Sequence, residues 1–431
     1  MHIKKMTLEN FRCFEHLEIE FPQGYAVLIG TNGAGKSSIL DAVAIVLGSF
    51  LAVMGNKHEK IHKSDVRNIT YVYEGGGSRR ELQYPVVITA LTETGAADEK
   101  ETHEWETVRR TEDSGTSAVA SGTIVTYASV LRKKVQINAD VTLPIFVYYK
   151  TDRRWRSRKK LKKNNMSEVP SRLDGYIDAL KAGIKEELMF DWFKQSAFIE
   201  VQDGEELPIF RSVKKAMEKI YADTDEDLEK VRVRYDFKTW EIVIHVKRKN
   251  EDPVSLPLRY FSDGIKAMLS MTADIAYRIA LLNPNLGGEA MRETPGIVLI
   301  DEIDMHLHPS WQRKILASLK KVFPRIQFIV TTHAPAVLAN VPRENIIVFS
   351  EGKAYPPTEH TYGRDVNTIL RDVMGTEVRP QEVMEKKDLF YKALDEGDFS
   401  AAEKQLGILE KILGQSDEEV VYMTTMLDLE R

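Results

Sequence analysis

A glycine-rich segment near the amino terminus has the residue types and spacing of a phosphate-binding loop. Glycines let successive backbone N–H groups point at phosphate oxygens, a lysine reaches the β- and γ-phosphates, and a hydroxyl ligates Mg²⁺. An apolar run at residues 26–29 precedes the segment and a helix-compatible run at 38–47 follows it, which predicts a nucleoside triphosphate site. The segment fits G-x-x-x-x-G-K-[ST] and, with the next serine, comprises Gly30, Thr31, Asn32, Gly33, Ala34, Gly35, Lys36, Ser37 and Ser38.

Two consecutive carboxylates, Asp301 and Glu302, follow a second apolar run at residues 296–300. A continuous apolar run of this length indicates a buried parallel strand. We expect Asp301 to join Ser37 in the Mg²⁺ shell, and Glu302 to polarise the attacking water beside the metal. With Lys36 on the phosphates, these residues predict hydrolysis of the bound ATP.

Size and composition set bounds on the class of protein. The 431 residues allow two or three domains, or one large α/β domain with insertions. The 60 basic and 65 acidic side chains give a net charge of −5, so no global charge favours nucleic acid. Charge is uneven, because residues 151–163 hold eight Lys or Arg and 381–431 hold 13 acidic against 6 basic side chains.

The single cysteine and the hydropathy pattern bear on the compartment. One cysteine excludes an internal disulfide and suits a reducing cytosol. The amino terminus lacks the apolar core of a signal peptide. The longest apolar stretch, residues 42–55, is too short to span a bilayer and follows the phosphate-binding loop, so it predicts a buried helix. We expect a soluble, cytoplasmic protein without membrane contact.

The first strands carry the phrase Glu9-Asn10-Phe11-Arg12-Cys13-Phe14, and the loop reads I-G-x-N-G-x-G-K-S. Together these resemble the RecF/SMC branch of the ABC ATPases. The resemblance implies that Arg12 helps hold the nucleotide and that Asn32 lies near the γ-phosphate. The alternative for Arg12 is a solvated charge at a strand end.

A serine-led segment, Ser262-Asp263-Gly264, precedes an apolar helical pattern, and Ser262 is a good N-cap. In its position between the loop and the paired carboxylates it resembles the ABC signature. The resemblance implies that Ser262, Asp263 and Gly264 grip the γ-phosphate of ATP on another subunit. ATP would then hold a head-to-tail homodimer together, and a higher oligomer is compatible with it.

Two further segments resemble the remaining parts of an ABC site. Asp304 lies in I-D-M-H-L-H-P, which resembles the D-loop at the dimer seam. His333 ends a strand in T-T-H-A-P and matches the switch histidine that contacts the γ-phosphate. A metal site at His306 and His308 is a weak alternative, because one residue separates them and no further ligand cluster follows.

The predicted fold class is α/β: an ABC-type P-loop ATPase head with a mixed sheet, an antiparallel β subdomain and a helical insertion, plus a small C-terminal helical tail. The head covers residues 1–350, and the tail, a possible docking module for a partner, covers 351–431 with helices near 366–374, 381–395, 399–413 and 416–429. Within the head we assign three parts. A β-rich part covers 56–150, with strand-like runs at 84–91, 104–109, 122–130 and 143–149. A basic loop and helical insertion covers 153–222, and a signature-to-switch core covers 255–350.

No convincing Q-loop glutamine is found.

The basic run has two interpretations, nucleic-acid contact or a solvated loop, and nothing else in the sequence separates them. Trp155 lies within it and could stack on a base. Its cations are Arg153, Arg154, Arg156, Arg158, Lys159 and Lys160.

The tail favours one group of relatives. It is too short for a Toprim nuclease domain, and beyond His360 it has no histidine for an Arg–His ribonuclease site. We therefore expect no nuclease in this chain. The whole resembles the ATPases of bacterial anti-phage loci, of Septu-type or retron-associated systems, which work with a separate HNH nuclease. The alternatives are a RecF-like DNA-binding repair or recombination ATPase and an ATP-gated scaffold with negligible hydrolysis.

Overall fold

The computed structural model describes residues 1–56, 59–72, 78–95, 100–113, 123–151, 171–181 and 186–430. The chain forms two compact units, residues 1–366 and residues 367–431. The basic run at 153–163 lies outside the described residues, so the prediction made for it is not addressed by the structure.

In chain order the strands are β1 (His2–Phe11), β2 (Phe14–Glu20), β3 (Tyr25–Gly30), β4 (Asn68–Val72), β5 (Ser78–Leu82), β6 (Val86–Thr94), β7 (Glu101–Arg109), β8 (Ile145–Tyr149), β9 (Leu228–Asp236), β10 (Glu241–Arg248), β11 (Val254–Pro257), β12 (Gly296–Ile300), β13 (Ile326–Thr331), β14 (Ile346–Ser350) and β15 (Lys353–Tyr355).

The α-helices are α1 (Lys36–Val53), α2 (Thr123–Gln136), α3 (Glu186–Asp203), α4 (Pro208–Ala222), α5 (Asp263–Leu282), α6 (Ala290–Glu293), α7 (Pro309–Gln312), α8 (Ile315–Val322), α9 (Pro335–Leu338), α10 (Val366–Asp372), α11 (Gln381–Asp395), α12 (Phe399–Leu413) and α13 (Glu418–Glu430).

The central sheet of unit 1 has six strands in the order β15-β14-β3-β13-β12-β8. Strands β14, β3, β13, β12 and β8 are parallel, and β15 is antiparallel at the edge. Every residue of β8, β12 and β13 is buried, as the continuous apolar runs predict for a sheet covered on both faces. The mixed sheet confirms the predicted α/β class.

A second, antiparallel sheet has the order β2-β1-β6-β7, and β4 and β5 form a separate two-stranded sheet. The predicted antiparallel part is therefore present, but the strand predicted at 122–130 is wrong. This segment begins helix α2, in which Ile124, Ala128 and Leu131 are buried. Their spacing of four and three residues is that of one helical face, and it prevails over the strand propensity of the isolated segment.

Between β8 and α5 lie the helical insertion and a three-stranded antiparallel sheet, β11-β10-β9. Strands β9 and β10 pair as an antiparallel hairpin, and β11 is added beside β10. In the helical insertion predicted at 153–222, the described residues form a 3₁₀ turn at Arg172–Tyr176 and then the helices α3 and α4.

Helix α1 is the one helix of the described residues whose length and apolarity would suffice to cross a membrane. It begins in the phosphate-binding loop, and 13 of its 18 residues are buried, Ile39, Leu40 and Phe50 among them. Because α1 packs against the central sheet, it is a core helix, as the sequence predicts.

Unit 2 is helical, as predicted, and has a core of its own. Phe390, Leu409 and Met423 of α11, α12 and α13 are fully buried in it. Asp398 caps the start of α12, since its carboxylate accepts a hydrogen bond from the Ala401 amide at 3.0 Å.

Candidate functional site

The strand order brings three loops together at one edge of the central sheet. Strand β13 lies between β3 and β12, and all three are parallel, so their carboxyl ends are neighbours. A pocket of about 340 Å³, the P-loop pocket, opens there. Its lining residues are Arg12, Cys13, Asn32, Gly33, Gly35, Lys36, Ser37, Ser38, Asp301, Glu302, Thr331 and His333.

The glycine-rich loop is shaped by its contact with the phrase at residues 9–14. Gly35 has φ +94°, and a Cβ placed on it would lie 2.4 Å from the Phe14 ring and 2.8 Å from the Cys13 sulfur. Only glycine fits this backbone conformation and this close approach. The resulting turn starts α1 at Lys36, with the first amides of the helix directed at the pocket.

Lys36 folds back over its own loop. Its Nζ donates to the carbonyl oxygens of Gly30 at 2.8 Å and Thr31 at 3.0 Å. Burial lowers the pKa of the Lys36 ammonium below its ordinary value, and the carboxylates of Asp301 and Glu302 act against that shift. The ammonium is therefore placed between the loop carbonyls and the paired carboxylates, where an incoming phosphate would meet it.

The Asp301 carboxylate is shared by hydroxyls from two elements. Ser37 Oγ lies 3.1 and 3.0 Å from its two oxygens, and Thr331 Oγ1 donates to Oδ1 at 2.6 Å. Thr331 in turn accepts a hydrogen bond from the Glu302 amide at 2.7 Å. Hard oxygen donors of this kind suit Mg²⁺, so Ser37 and Asp301 fit the metal that the sequence predicts.

Thr331 is a site residue that the sequence reasoning missed. Its position in the sequence could have identified it, because Thr331 ends β13 two residues before His333. Thr332 is its neighbour along the chain. Successive side chains of a strand point to opposite faces. Accordingly Thr331 binds Asp301, whereas the Thr332 hydroxyl donates to Asp304 and accepts from the Ala334 amide. Asp304 is thus tied to the loop that carries His333.

The Arg12 guanidinium lies at the rim of the pocket, held by two carboxylates. Its Nε donates to Asp65 at 3.0 Å, and one terminal nitrogen donates to Asp41 at 2.7 Å and to Ser38 Oγ at 3.3 Å. Arg12 is therefore not a solvated strand-end charge. Asp41, one helical turn beyond Ser37, also accepts the Lys150 ammonium at 3.1 Å.

The Ser262 segment lies outside the P-loop pocket. Ser262 precedes α5 but its side chain makes no capping hydrogen bond, and Asp263 pairs with Lys266 at 2.7 Å. A Cβ on Gly264 would lie 2.1 Å from the His306 carbonyl oxygen, so glycine is required for α5 to approach the loop after β12. Ser262 opens onto another cavity of about 900 Å³, the signature pocket, lined by Thr224, Asp225, Glu226, Asp227, Ser262, Ile265, His306, Leu307, His308, Ser310, Trp311 and Lys314.

The structure thus divides the predicted site residues between two places. The P-loop pocket unites Arg12 and the residues of the loop, β12 and β13, with Gly30 and Ala34 in the loop beside them. The Ser262 segment and the Asp304 loop lie together through Gly264 and His306. No group of three or more His, Cys, Asp or Glu side chains able to hold a metal occurs within the described residues, and His308 instead bonds Ser310 Oγ at 2.8 Å.

Comparison with protein families matches residues 5–232 to an AAA domain model, and a second AAA domain model matches residues 144–339. The first match spans more than half of the chain. The protein therefore belongs to the AAA domain family and, with its ordered site motifs, is an ATPase of the RecF/SMC-like ABC type.

Two curated proteins, one from a retron and one from a Septu system, are similar to this chain over most of its length. The chain is 28% identical to the "Retron Ec83 probable ATPase" of Escherichia coli, over 98% of this chain and 86% of the relative. It is 23% identical to the "Septu protein PtuA" of Bacillus thuringiensis, over 91% and 89%. Among solved structures, the SmcHead bound to the C-winged helix domain of ScpA aligns over 83% of this chain and 97% of its own, with 17% identity and a TM-score of 0.46.

Proposed function

We propose that this ATPase is the regulatory subunit of a bacterial anti-phage complex in the cytoplasm. In this complex ATP closes a head-to-tail dimer, and the dimer controls a separate nuclease of the HNH type. One observation carries the dimer: Ser262 and the P-loop of the same chain line different pockets. A signature serine that lies outside the P-loop pocket of its own chain would contact the nucleotide of a second copy.

Within one chain, each side chain has a task in hydrolysis. The loop amides and Lys36 would bind the β- and γ-phosphates, and Ser37 and Asp301 would hold Mg²⁺, which would neutralise charge on the phosphates. Glu302 accepts a proton from the attacking water, and His333 contacts the γ-phosphate from the end of β13. Thr331 supports this arrangement, because it fixes the Asp301 carboxylate and the Glu302 amide.

The second copy would complete the site. The Ser262 hydroxyl makes no capping bond within its own chain, so it is available to a phosphate oxygen at the start of α5. Gly264 locks that helix start to the loop of Asp304. The signature and the D-loop would therefore reach the partner's nucleotide as one surface.

Mixing two inactive variants tests this geometry. Lys36→Ala removes phosphate binding, and Ser262→Arg blocks the signature while leaving the P-loop intact. In a one-to-one mixture half of the dimers are mixed, and each mixed dimer has one complete site, so we expect recovery of about a quarter of wild-type ATPase activity. Each variant alone is the control. A mixture as inactive as its components would exclude the trans site.

The nuclease partner rests on the named retron and Septu relatives and on the tail. Unit 2 has its own core and an acidic surface, as expected of a separate docking module. The native protein should co-purify with a nuclease encoded beside it, and a chain cut after residue 366 should lose that partner. If the cut chain retains the nuclease, the nuclease-binding site lies in unit 1 instead. If neither chain co-purifies with a nuclease, the proposed nuclease-regulating function is wrong.

A further inference from the structure

The small sheet β11-β10-β9 has one face on which cations repeat. Lys230, Arg232 and Arg234 alternate along β9 and are exposed, whereas Val233 between them is 2% exposed. Alternate residues of a strand lie on the same face, so the three cations form one row. Together with His245 and Lys247 of β10 they make up what we call the basic face.

Cross-strand register extends the row to β10. Lys247 lies directly opposite Lys230, and His245 lies opposite Arg232. Like charges opposite one another destabilise a strand pair, so the pairing of Lys247 with Lys230 is not explained by folding. Lys247 is partly offset by Glu229, whose carboxylate lies 2.6 Å from its ammonium.

The two arginines have no such compensation. Arg232 and Arg234 form no ion pair with any residue that the structure describes. Burial lowers the pKa of His245, and the charges of Arg234 and Arg232 lower it further, against an opposite effect of Asp236. Asp236 itself accepts hydrogen bonds within the hairpin turn, from the Lys238 amide and the Thr239 hydroxyl.

The opposite face of the sheet belongs to the core. Ile242 and Ile244 are fully buried, and α4 packs against β9. Glu218 of α4 accepts a hydrogen bond from the Val233 amide at 2.8 Å. Packing against α4 and the core therefore holds the backbone of the sheet in place, and with it the side chains of the basic face.

We propose that the basic face binds the phosphate backbone of a nucleic acid strand. Cations at every second residue of β9 are roughly 6.8 Å apart, close to the separation of successive phosphates along a strand. Guanidinium groups suit phosphate oxygens because they donate two parallel hydrogen bonds. This surface goes beyond the proposed function and does not depend on it.

The basic face could also attract an acidic protein surface, such as the tail of a second copy, but a nucleic acid fits it better. Protein interfaces are anchored by apolar or aromatic side chains at their centre. The apolar residue at one end of the basic face, Val243 opposite Arg234, is 7% exposed and offers no anchor. Phosphate contacts need only the cations.

The test is a binding titration of the full-length protein with fluorescein-labelled single-stranded and duplex oligonucleotides of arbitrary sequence, over a range of salt concentrations. For Arg232→Glu/Arg234→Glu we expect a loss of affinity of roughly tenfold or more, and a salt slope lower by about two. Arg232→Lys/Arg234→Lys should retain most of the affinity. The matched control is Lys133→Glu/Lys134→Glu on α2, which changes the net charge equally in another part of unit 1.

Three outcomes would overturn the proposal: no oligonucleotide binding by the wild-type protein, unchanged affinity in Arg232→Glu/Arg234→Glu, or an equal loss in the Lys133/Lys134 control. A further overturning result is loss of self-association, without loss of oligonucleotide binding, in Arg232→Glu/Arg234→Glu, which would assign the basic face to a second copy. ATPase activity measured without nucleic acid separates this inference from the proposed function, because the basic face lies outside the P-loop pocket and its variants should hydrolyse ATP normally.

Discussion

The P-loop pocket and the helical tail are stabilised by different kinds of interaction. In the pocket, polar side chains have fixed partners: Ser37 and Thr331 both bond the Asp301 carboxylate. In the tail, Phe390 and Leu409 are buried among other apolar side chains. Hydrogen bonds to a charged group depend on each atom, whereas an apolar core depends on volume. The pocket should therefore respond to isosteric changes and the tail only to changes of size.

The largest effect should come from an isosteric change in the pocket. Glu302→Gln keeps the shape but removes the base, so we expect ATP hydrolysis to fall about a hundredfold or more while ATP still binds. Phosphate release and nucleotide affinity, measured on the same preparation, check both parts. Glu293→Gln, before the opposite end of the same strand, is the control. Wild-type ATP hydrolysis by Glu302→Gln would show that Glu302 is not the base.

The second-largest effect should come from a change of side-chain volume in the tail, and it should lower the stability of unit 2. Phe390→Ala removes a fully buried ring and should lower the local stability of unit 2 by about 3–4 kcal/mol. Hydrogen exchange of α11–α13 measures this loss, and nucleotide affinity should be unchanged. Leu389→Ala, the neighbouring residue at 46% exposure, is the control and should cost little. If both variants cost the same, the core assignment of unit 2 is wrong.

A smaller effect separates hydrogen bonding from packing inside the pocket. Thr331→Val keeps the volume but removes the bond to Asp301 and the acceptor for the Glu302 amide. We expect ATP hydrolysis to fall about tenfold, the cost of leaving these groups unpaired. Thr331→Ser keeps the hydroxyl and should remain close to wild type. Equal rates for the Val and Ser variants would show that only packing matters here.

The smallest effect uses the single cysteine as a reporter. Cys13 lines the P-loop pocket, and burial raises the pKa of its thiol. The thiolate is the reactive form, so labelling by a maleimide should be slow at neutral pH and should accelerate as the pH rises. Bound ATP should slow labelling several-fold in the wild type and have no effect in Lys36→Ala. The same rate with and without ATP would place the nucleotide away from Cys13.

Local patterns predicted most of the fold. The phosphate-binding loop, the runs that form β12 and β13, and the helices of the tail each depend on residues adjacent in sequence, and the structure has all of them. The strand predicted at 122–130 is wrong, because the spacing of Ile124, Ala128 and Leu131 acquires its meaning only when α2 has a surface to pack on.

The sequence by itself determined the chemical content of the P-loop pocket, since the order of its motifs fixes which strand ends carry them. Only the tertiary structure decided three other features: the grip of Thr331 on Asp301, the carboxylates that hold Arg12, and the separation of Ser262 from the P-loop of its own chain. Each is a spatial relation between residues distant in sequence. Their partners are set by strand order and helix packing, which a linear pattern of residue types does not encode.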